Sequence, residues 1–272
     1  MKKLNAEVLN VGNELLDGRT LNTNLHWLCG RLSEIGYVVE RATIVRDDVS
    51  DIASSVKEAL RRRPKWLLIS GGLGPTHDDK TLQGVAKALG RVLRLDRVAL
   101  EMLKTRYEEL WKKGLMPSVE LTEERLKMAR LPVGSKPLVN RVGSAPGVLI
   151  ELKSTKLVCL PGVPAEMKDI FMNEVKPLMV MESGGQSYVM ESVTIKGVFE
   201  STLAPLLVET MRRFPQIYLK SNPKGFEEGI SAVTVDLIAL GKDVEKVGEA
   251  KAYLERRVAE IVKGSGSNPT TP

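Results

Sequence analysis

The chain has 272 residues, of which 43% are hydrophobic, and its formal net charge is +6. This length can bury one large hydrophobic core or two smaller ones. The sequence contains no run of about 18 uncharged apolar residues, and Glu7 interrupts the N-terminal region before an apolar export signal could form. We therefore expect a soluble, cytoplasmic protein with no membrane partner.

Side-chain composition excludes two further classes of protein. The chain has two cysteines, Cys29 and Cys159, and two histidines, His26 and His77. Neither cysteine has another Cys at metal-ligand spacing, and the chain has only two histidines, so we expect neither a disulfide framework nor a Cys/His zinc site. The mild positive charge suits an anionic small molecule and does not by itself indicate a nucleic acid partner. Glutamine is scarce, which favours a high-temperature source.

The first 180 residues alternate between strand patterns and helix patterns. Apolar residues recur at helical spacing in the helical segments, whereas residues 65–70 form a continuous apolar run of strand length. This alternation predicts an α/β fold, a three-layer mostly parallel sheet with helices on both faces. Strands are predicted at residues 6–12, 37–45, 65–70, 147–152 and 156–160, and helices at residues 21–35, 50–62, 82–89, 96–113, 122–129 and 165–181.

The rest of the chain has a different order of predicted strands and helices. A small polar segment, residues 183–187, predicts a linker after a first domain of residues 1–182. Residues 188–262 then read as a small α+β domain in the order β-α-β-β-α, and residues 263–272 as a disordered tail. Its predicted strands are residues 188–197, 216–219 and 230–240, and its predicted helices are residues 201–213 and 244–262.

The most distinctive segment is the glycine-rich loop that follows the strand predicted at residues 65–70. Glycines let the main chain approach a phosphate closely, and two aspartates at the end of the loop are suited to hold a divalent cation on that phosphate. The alternative is a turn in which Asp78 or Asp79 caps the next helix. The predicted ligand-binding residues are Gly71, Gly72, Leu73, Gly74, Pro75 and Thr76, and the predicted metal ligands are Asp78 and Asp79.

Two other loops fall at the same edge of the predicted sheet, where open parallel sheets bind their ligands. The first lies between the first strand and its helix and could contact a ribose or a base, or could supply only a helix cap and a turn. The second precedes the helix at residues 165–181, where an acid in the first turn is favoured even without a function. Their candidate residues are Asn13, Glu14, Asn22, Asn24, Gly162, Pro164 and Glu166, with Asn140, Gly143 and Ser144 as a further wall.

Three motifs together resemble the CinA (competence/damage-inducible protein A) family. They are Gly-Asn-Glu-Leu-Leu at 12–16, Gly-Gly-Leu-Gly-Pro-Thr-His-Asp-Asp at 71–79 and Leu-Pro-Gly-Val-Pro-Ala-Glu-Met at 160–167. The resemblance implies a molybdopterin-binding-like first domain and a KH-like second domain, and it covers residues 4–262. It also implies that the chain lacks the C-terminal domain that deamidates nicotinamide mononucleotide in many bacterial members of the family.

The resemblance implies a nucleotide pyrophosphatase that cleaves ADP-ribose to AMP and ribose 5-phosphate. The expected cofactors are a divalent metal, Mg, Mn or Co, and potassium as an assisting ion. Asp78 and Asp79 would bind metal or activate water, and Glu14 and Glu166 would complete the catalytic acids. Two alternatives remain open: a molybdopterin-binding protein that supports adenylyl transfer, and a nucleotide-binding module without turnover.

The expected partner is therefore a small nucleotide, and both related folds imply a homo-oligomer by analogy. Nucleic acid is not expected as a partner. KH domains clamp nucleic acid with a Gly-x-x-Gly loop, and residues 188–272 contain no such pattern.

Overall fold

A six-stranded sheet organises the first part of the chain. The computed structural model describes residues 4–184, 188–227, 230–240, 243 and 245–265. They fall into two compact units, the second formed by residues beyond 187 together with Glu34–Gly36. The strands are β1 Asn5–Val11, β2 Val38–Val45, β3 Trp66–Ser70, β4 Leu93–Leu95, β5 Arg130–Pro132, β6 Lys136–Leu138, β7 Gly147–Glu151, β8 Lys156–Leu160, β9 Tyr188–Lys196, β10 Tyr218–Glu227 and β11 Ile230–Leu240.

Helices separate most of these strands. Their bounds are α1 Asn13–Leu16, α2 Thr23–Glu34, α3 Val49–Arg62, α4 Thr81–Leu89, α5 Arg97–Lys112, α6 Glu123–Lys127, α7 Pro164–Ile170, α8 Lys176–Ser183, α9 Glu200–Arg213 and α10 Lys246–Ser265. A π-helical stretch, Phe171–Val175, joins α7 to α8, so the single helix predicted at residues 165–181 is present with one wide turn.

The large sheet has the strand order β2-β1-β3-β8-β7-β6. The first four strands are parallel, and β7 and β6 add antiparallel pairings at one edge. This confirms the mostly parallel sheet expected from the strand and helix alternation. The parallel order brings the carboxyl ends of β1, β3 and β8 together at one edge, where their three following loops meet.

Both faces of the sheet are covered because its central strands are apolar on both sides. Leu67 and Ile69 of β3 pack in a core with Ile52 of α3 and Val85 of α4. The intervening side chains point to the opposite face, where the Trp66 indole donates to Glu182 of α8 at 2.8 Å. The prediction of helices on both faces of the sheet is therefore confirmed.

Several short elements were not predicted. Strands β4 and β5 pair with each other in a separate antiparallel ribbon, and β6 is an added edge strand. Each has three residues, too few to show an alternating pattern. The four-residue helix α1 was missed for the same reason.

The second unit has the order β9-α9-β10-β11-α10. Its sheet is antiparallel with β11 in the centre, and both helices contribute to one apolar core with residues such as Leu203, Leu237 and Leu254. Strand β10 is longer than predicted because it continues past Leu219 and pairs with residues 230–238 of β11. The KH-like assignment of this unit stays a prediction.

The predicted tail needs one correction. Helix α10 runs to Ser265, so residues 263–265 are helical, because helical hydrogen bonds continue past the last apolar residue. Residues 266–272 of that prediction, and residues 185–187 of the predicted linker, lie outside the described residues. No helix in the described part of the chain is both long enough and apolar enough to cross a bilayer.

Two glycines in helices provide a test of the packing between α3 and α4. A Cβ at Gly84 would lie 2.5 Å from Ile52 Cγ2, whereas a Cβ at Gly30 of α2 would meet open space. We expect Gly84→Ala to lower the free energy of unfolding by about 1–3 kcal/mol through overpacking. Gly30→Ala should raise it by about 0.5–1 kcal/mol through helix propensity. Guanidinium denaturation measures both, and effects of the same sign would contradict this packing.

Candidate active site

A cavity of about 620 Å³ opens at the carboxyl ends of β1, β3 and β8. It unites the three loops that the sequence placed at this edge of the sheet. Predicted site residues that line it are Glu14, Asn22, Asn24, Gly71, Gly72, Gly74, Pro75, Thr76, Asp78, Asp79, Gly143, Ser144, Gly162, Pro164 and Glu166.

Three predicted residues do not line this cavity with their side chains. Leu73 packs in the hydrophobic core, so only its main chain is available to a ligand. Asn13 lies on the rim, where its N–H donates to Asp47 Oδ2 at 2.7 Å. Asn140 instead lines an adjoining cavity of about 510 Å³ and contacts Glu166 from that side.

The main-chain conformation of the loop requires glycine at its first two positions, 71 and 72. Gly71 has φ 109°, and a Cβ there would lie 2.1 Å from the main-chain oxygen of Val11. Gly72 has φ 64°, and its Cβ would lie 2.5 Å from the Thr81 hydroxyl. Thr81 itself donates from Oγ1 to the Gly71 oxygen at 2.7 Å and from N to the Gly72 oxygen at 3.1 Å. The loop therefore follows a fixed path from β3 into α4.

The main-chain N–H groups of Gly72, Leu73 and Gly74 donate to no acceptor among the described residues. Gly72 and Gly74 line the cavity. Successive free N–H groups on a turn with one left-handed glycine form an anion-binding concavity. This stretch of main chain can accept a phosphate.

The loop aspartates are organised by Thr76. Asp79 accepts from Thr76 N at 2.8 Å and from Thr76 Oγ1 at 2.6 Å, and Asp78 also lies within hydrogen-bond distance of that hydroxyl. The Thr76 hydrogen bond lowers the pKa of Asp78. Helix α4 has no side-chain cap at its N-cap residue, Lys80, so the expected alternative of an aspartate capping that helix is wrong. The aspartates brace their own loop instead.

Lys127 was not singled out from the sequence, yet it contacts this loop. Its ammonium donates to the Thr76 main-chain oxygen. Partial burial lowers the pKa of Lys127, while Asp79 and Asp78 act in the opposite direction. The lysine reaches the loop from α6, which is distant in sequence, so no local pattern marks it.

The residues present fit a metal ion only in company with a ligand. The described residues contain no group of three or more His, Cys, Asp or Glu side chains that could hold a metal ion. Asp78 and Asp79 supply two carboxylates beside the free amides. Mg²⁺ is commonly held by one or two carboxylates together with substrate phosphates. The donor set is suited to a cation that is also bound by a phosphate.

The opposite wall comes from the loop after β1. The Glu14 carboxylate folds over Gly12, whose Cβ would lie 2.5 Å from Glu14 Oε1. Asn22 accepts from Leu25 N at 3.0 Å, which is the cap expected in the alternative interpretation. Asn24 is buried and donates to Ser70 Oγ at 3.0 Å and to the Gly162 oxygen at 2.8 Å. Asn24 thus ties this loop to the ends of two strands.

Glu166 is held by the loop before β7. The Asn140 amide donates to Glu166 Oε2 at 2.6 Å, while Asn140 Oδ1 accepts from Gly143 N at 2.7 Å. A Cβ at Gly143 would lie 2.0 Å from Glu166 Cδ, so glycine is required where the carboxyl group lies. Burial raises the pKa of Glu166, opposed by the Asn140 hydrogen bond and by Arg106. A carboxyl group in this state is suited to donate or accept a proton.

Comparison with known proteins identifies the family. Residues 7–180 match the family model described as a probable molybdopterin binding domain. The chain belongs to this family. The match covers the large sheet and all three loops of the cavity.

Relatives of similar length match almost the whole chain. A Pyrococcus horikoshii protein is 43% identical over 259 residues, which is 95% of this chain and 98% of the relative. An Aeropyrum pernix protein is 45% identical over 263 residues, 96% of this chain and 95% of the relative. The crystal structure of a Thermoplasma acidophilum protein named CinA, of unknown function, has 40% identity and a TM-score of 0.59, and covers 65% of this chain and 99% of its own. This likeness supports the expected resemblance to CinA.

The raised pKa of Glu166 predicts a pH dependence of stability. The folded protein holds this proton more tightly than the unfolded chain, whose ordinary glutamate pKa is 4.5. The contribution of Glu166 to the free energy of unfolding therefore falls as the pH rises from 4.5 through the pKa of the folded state. The Glu166→Gln variant has no carboxyl group to titrate at this position. Its free energy of unfolding minus that of the wild type should therefore rise over the same pH range. Denaturant unfolding at several pH values measures this difference, and a value that falls as the pH rises would contradict the prediction.

Proposed function

We propose that the cavity binds a phosphorylated heterocyclic ligand with its phosphate on the main chain of residues 72–74. The observation that carries this proposal is the run of three free N–H groups in that stretch, beside two carboxylates. Free main-chain donors attract an anion without requiring a positively charged side chain. The family description points to a pterin phosphate of the molybdopterin type as the first candidate ligand.

In this form of the proposal the reaction is adenylyl transfer. An oxygen of the pterin phosphate attacks the α-phosphorus of ATP, the bond to the β-phosphate oxygen breaks, and pyrophosphate leaves. A divalent cation, Mg, Mn or Co, would neutralise charge on the phosphates when bound. The loop N–H groups hold the attacking phosphate, and Asp78 and Asp79 would hold the cation.

Hydrolysis of ADP-ribose is the second candidate, because acids surround the cavity. Glu14, Asp47 and Glu166 line it in addition to the loop aspartates. In this reaction water attacks one phosphorus of the diphosphate, and AMP and ribose 5-phosphate are released. A carboxylate takes the proton from water, and the raised pKa of Glu166 suits this residue to that role. Potassium assistance, self-association and the KH-like role of the second unit stay predictions.

One assay separates the two reactions. Purified full-length protein is incubated with ADP-ribose, or with a molybdopterin-type pterin phosphate and ATP, each with Mg²⁺, Mn²⁺ or Co²⁺ and with or without potassium. Formation of AMP and ribose 5-phosphate supports hydrolysis, whereas pyrophosphate release that depends on the pterin supports transfer. If neither ligand is converted and neither competes with the other for binding, the proposal fails.

A matched pair of aspartates separates chemistry from stability. Asp79 accepts from Thr76 N at 2.8 Å, and Asp96, which caps α5, accepts from Ala99 N at 2.9 Å. Asp79→Ala and Asp96→Ala should each lower the free energy of unfolding by about 1 kcal/mol. Only Asp79→Ala should abolish turnover, because only that carboxylate lies at the phosphate. Equal turnover by the two variants would show that Asp79 acts only as a brace.

A further inference from the structure

The inner wall of the cavity contains a buried asparagine that makes no hydrogen bond with its side chain. Asn10 is 1% exposed, lies on β1 opposite Ser70 of β3, and lines the cavity. Its Oδ1 is buried without a partner, and its Nδ2 has none among the described residues either. A branched apolar side chain would be the ordinary choice at a position buried in this way.

A second buried amide oxygen lies beside it. Asn24 is 8% exposed, and its Nδ2 donates both to Ser70 Oγ and to the Gly162 oxygen. Rotating this amide would place Oδ1 against the Gly162 oxygen, which cannot donate. The orientation is therefore fixed, and Oδ1 remains an acceptor with no partner among the residues that the structure describes.

The rim adds one donor to these two acceptors. Asn22 uses Oδ1 to cap α2, and its Nδ2 is buried without a partner. All three asparagines line the same cavity. A buried amide atom that lacks a hydrogen-bond partner destabilises the folded protein. The three side chains that carry these atoms line one ligand-sized cavity.

We propose that Asn10 and Asn24 accept hydrogen bonds from the amino group of the ligand's heterocycle, and that Asn22 donates to a neighbouring ring acceptor. This inference rests on the proposed function for the location of the ligand. Pterin and adenine both carry an amino group next to a ring nitrogen that accepts, so they share the required chemistry. The asparagine set makes the cavity selective for amino-substituted rings over their oxo counterparts.

Two ligand pairs without phosphate test this selectivity independently of the glycine loop. The first is pterin and lumazine, in which an oxo group replaces the 2-amino group, and the second is adenosine and inosine. Saturation-transfer NMR with competition gives the affinity of the wild type for each. The amino member of at least one pair should bind about tenfold more tightly, since a site with unpaired buried acceptors rejects a ligand that lacks the donor. The pair that is discriminated identifies the ring.

Asn10→Leu is the decisive variant. It should reduce the preference to less than about threefold, because an aliphatic group cannot accept the hydrogen bond. Its melting temperature should equal or exceed that of wild type, because the native amide makes no internal hydrogen bond to lose. Asn173→Leu is the matched control, since Asn173 bonds Asp169 and does not line the cavity, and it should retain the wild-type preference.

Two results would overturn the inference. One is a wild type that shows no preference within either pair, including a failure to bind any of the four ligands. The other is an Asn10→Leu variant that is folded and keeps the wild-type preference. A protein that selects the amino ring but converts neither ADP-ribose nor a pterin phosphate would refute the proposed reactions and leave this inference standing.

Discussion

The close approach of Gly71 to the end of β1 is the constraint on which the candidate site depends. Any side chain at Gly71 would overlap the Val11 main-chain oxygen, while the Gly71 N–H donates to the Leu160 oxygen of β8 at 3.0 Å. The exit of β3 is thus enclosed between its two neighbouring strands. Because the three strand ends are locked together, their loops share one cavity. The residues that follow Gly71 leave this junction with unpaired N–H groups, which are the basis of the proposed phosphate site.

The site combines a braced rim with an unsatisfied inner wall. Thr76, Asp79 and Lys127 satisfy one another at the rim, so the carboxylates are oriented before any ligand arrives. Deeper in the cavity, Asn10 and Asn24 lower the stability of the fold, because their buried amide oxygens have no hydrogen-bond partner among the described residues. Residues that lower stability without an evident structural gain are expected at functional positions. In the proposed function the two regions have separate roles: the free N–H groups beside the rim hold the phosphate, and the inner wall selects the ring.

The sequence predicted those parts of this arrangement that depend on local pattern. Apolar runs predicted strand β8 and the central residues of β1 and β3. Glycines and aspartates predicted the loop at residues 71–79. Asn10 could not be identified in the same way, because one polar residue in an apolar strand acquires meaning only when its neighbours across the sheet are known. Lys127 lies about 50 residues from the loop that it contacts, and the prediction of Leu73 as a ligand-binding residue did not anticipate that its side chain turns into the core.

The two candidate reactions differ in what they require of the acids around the cavity. Adenylyl transfer brings its own nucleophile, the phosphate of the acceptor, so it needs only the loop amides and a cation on Asp78 and Asp79. Hydrolysis must also activate water, which requires a base among the acids that line the cavity, Glu14, Asp47 and Glu166. Burial raises the pKa of Glu166, which suits this carboxylate to take the proton from water, a step that transfer does not contain. Glu166 is therefore the residue whose contribution to turnover distinguishes a transferase from a hydrolase in this fold.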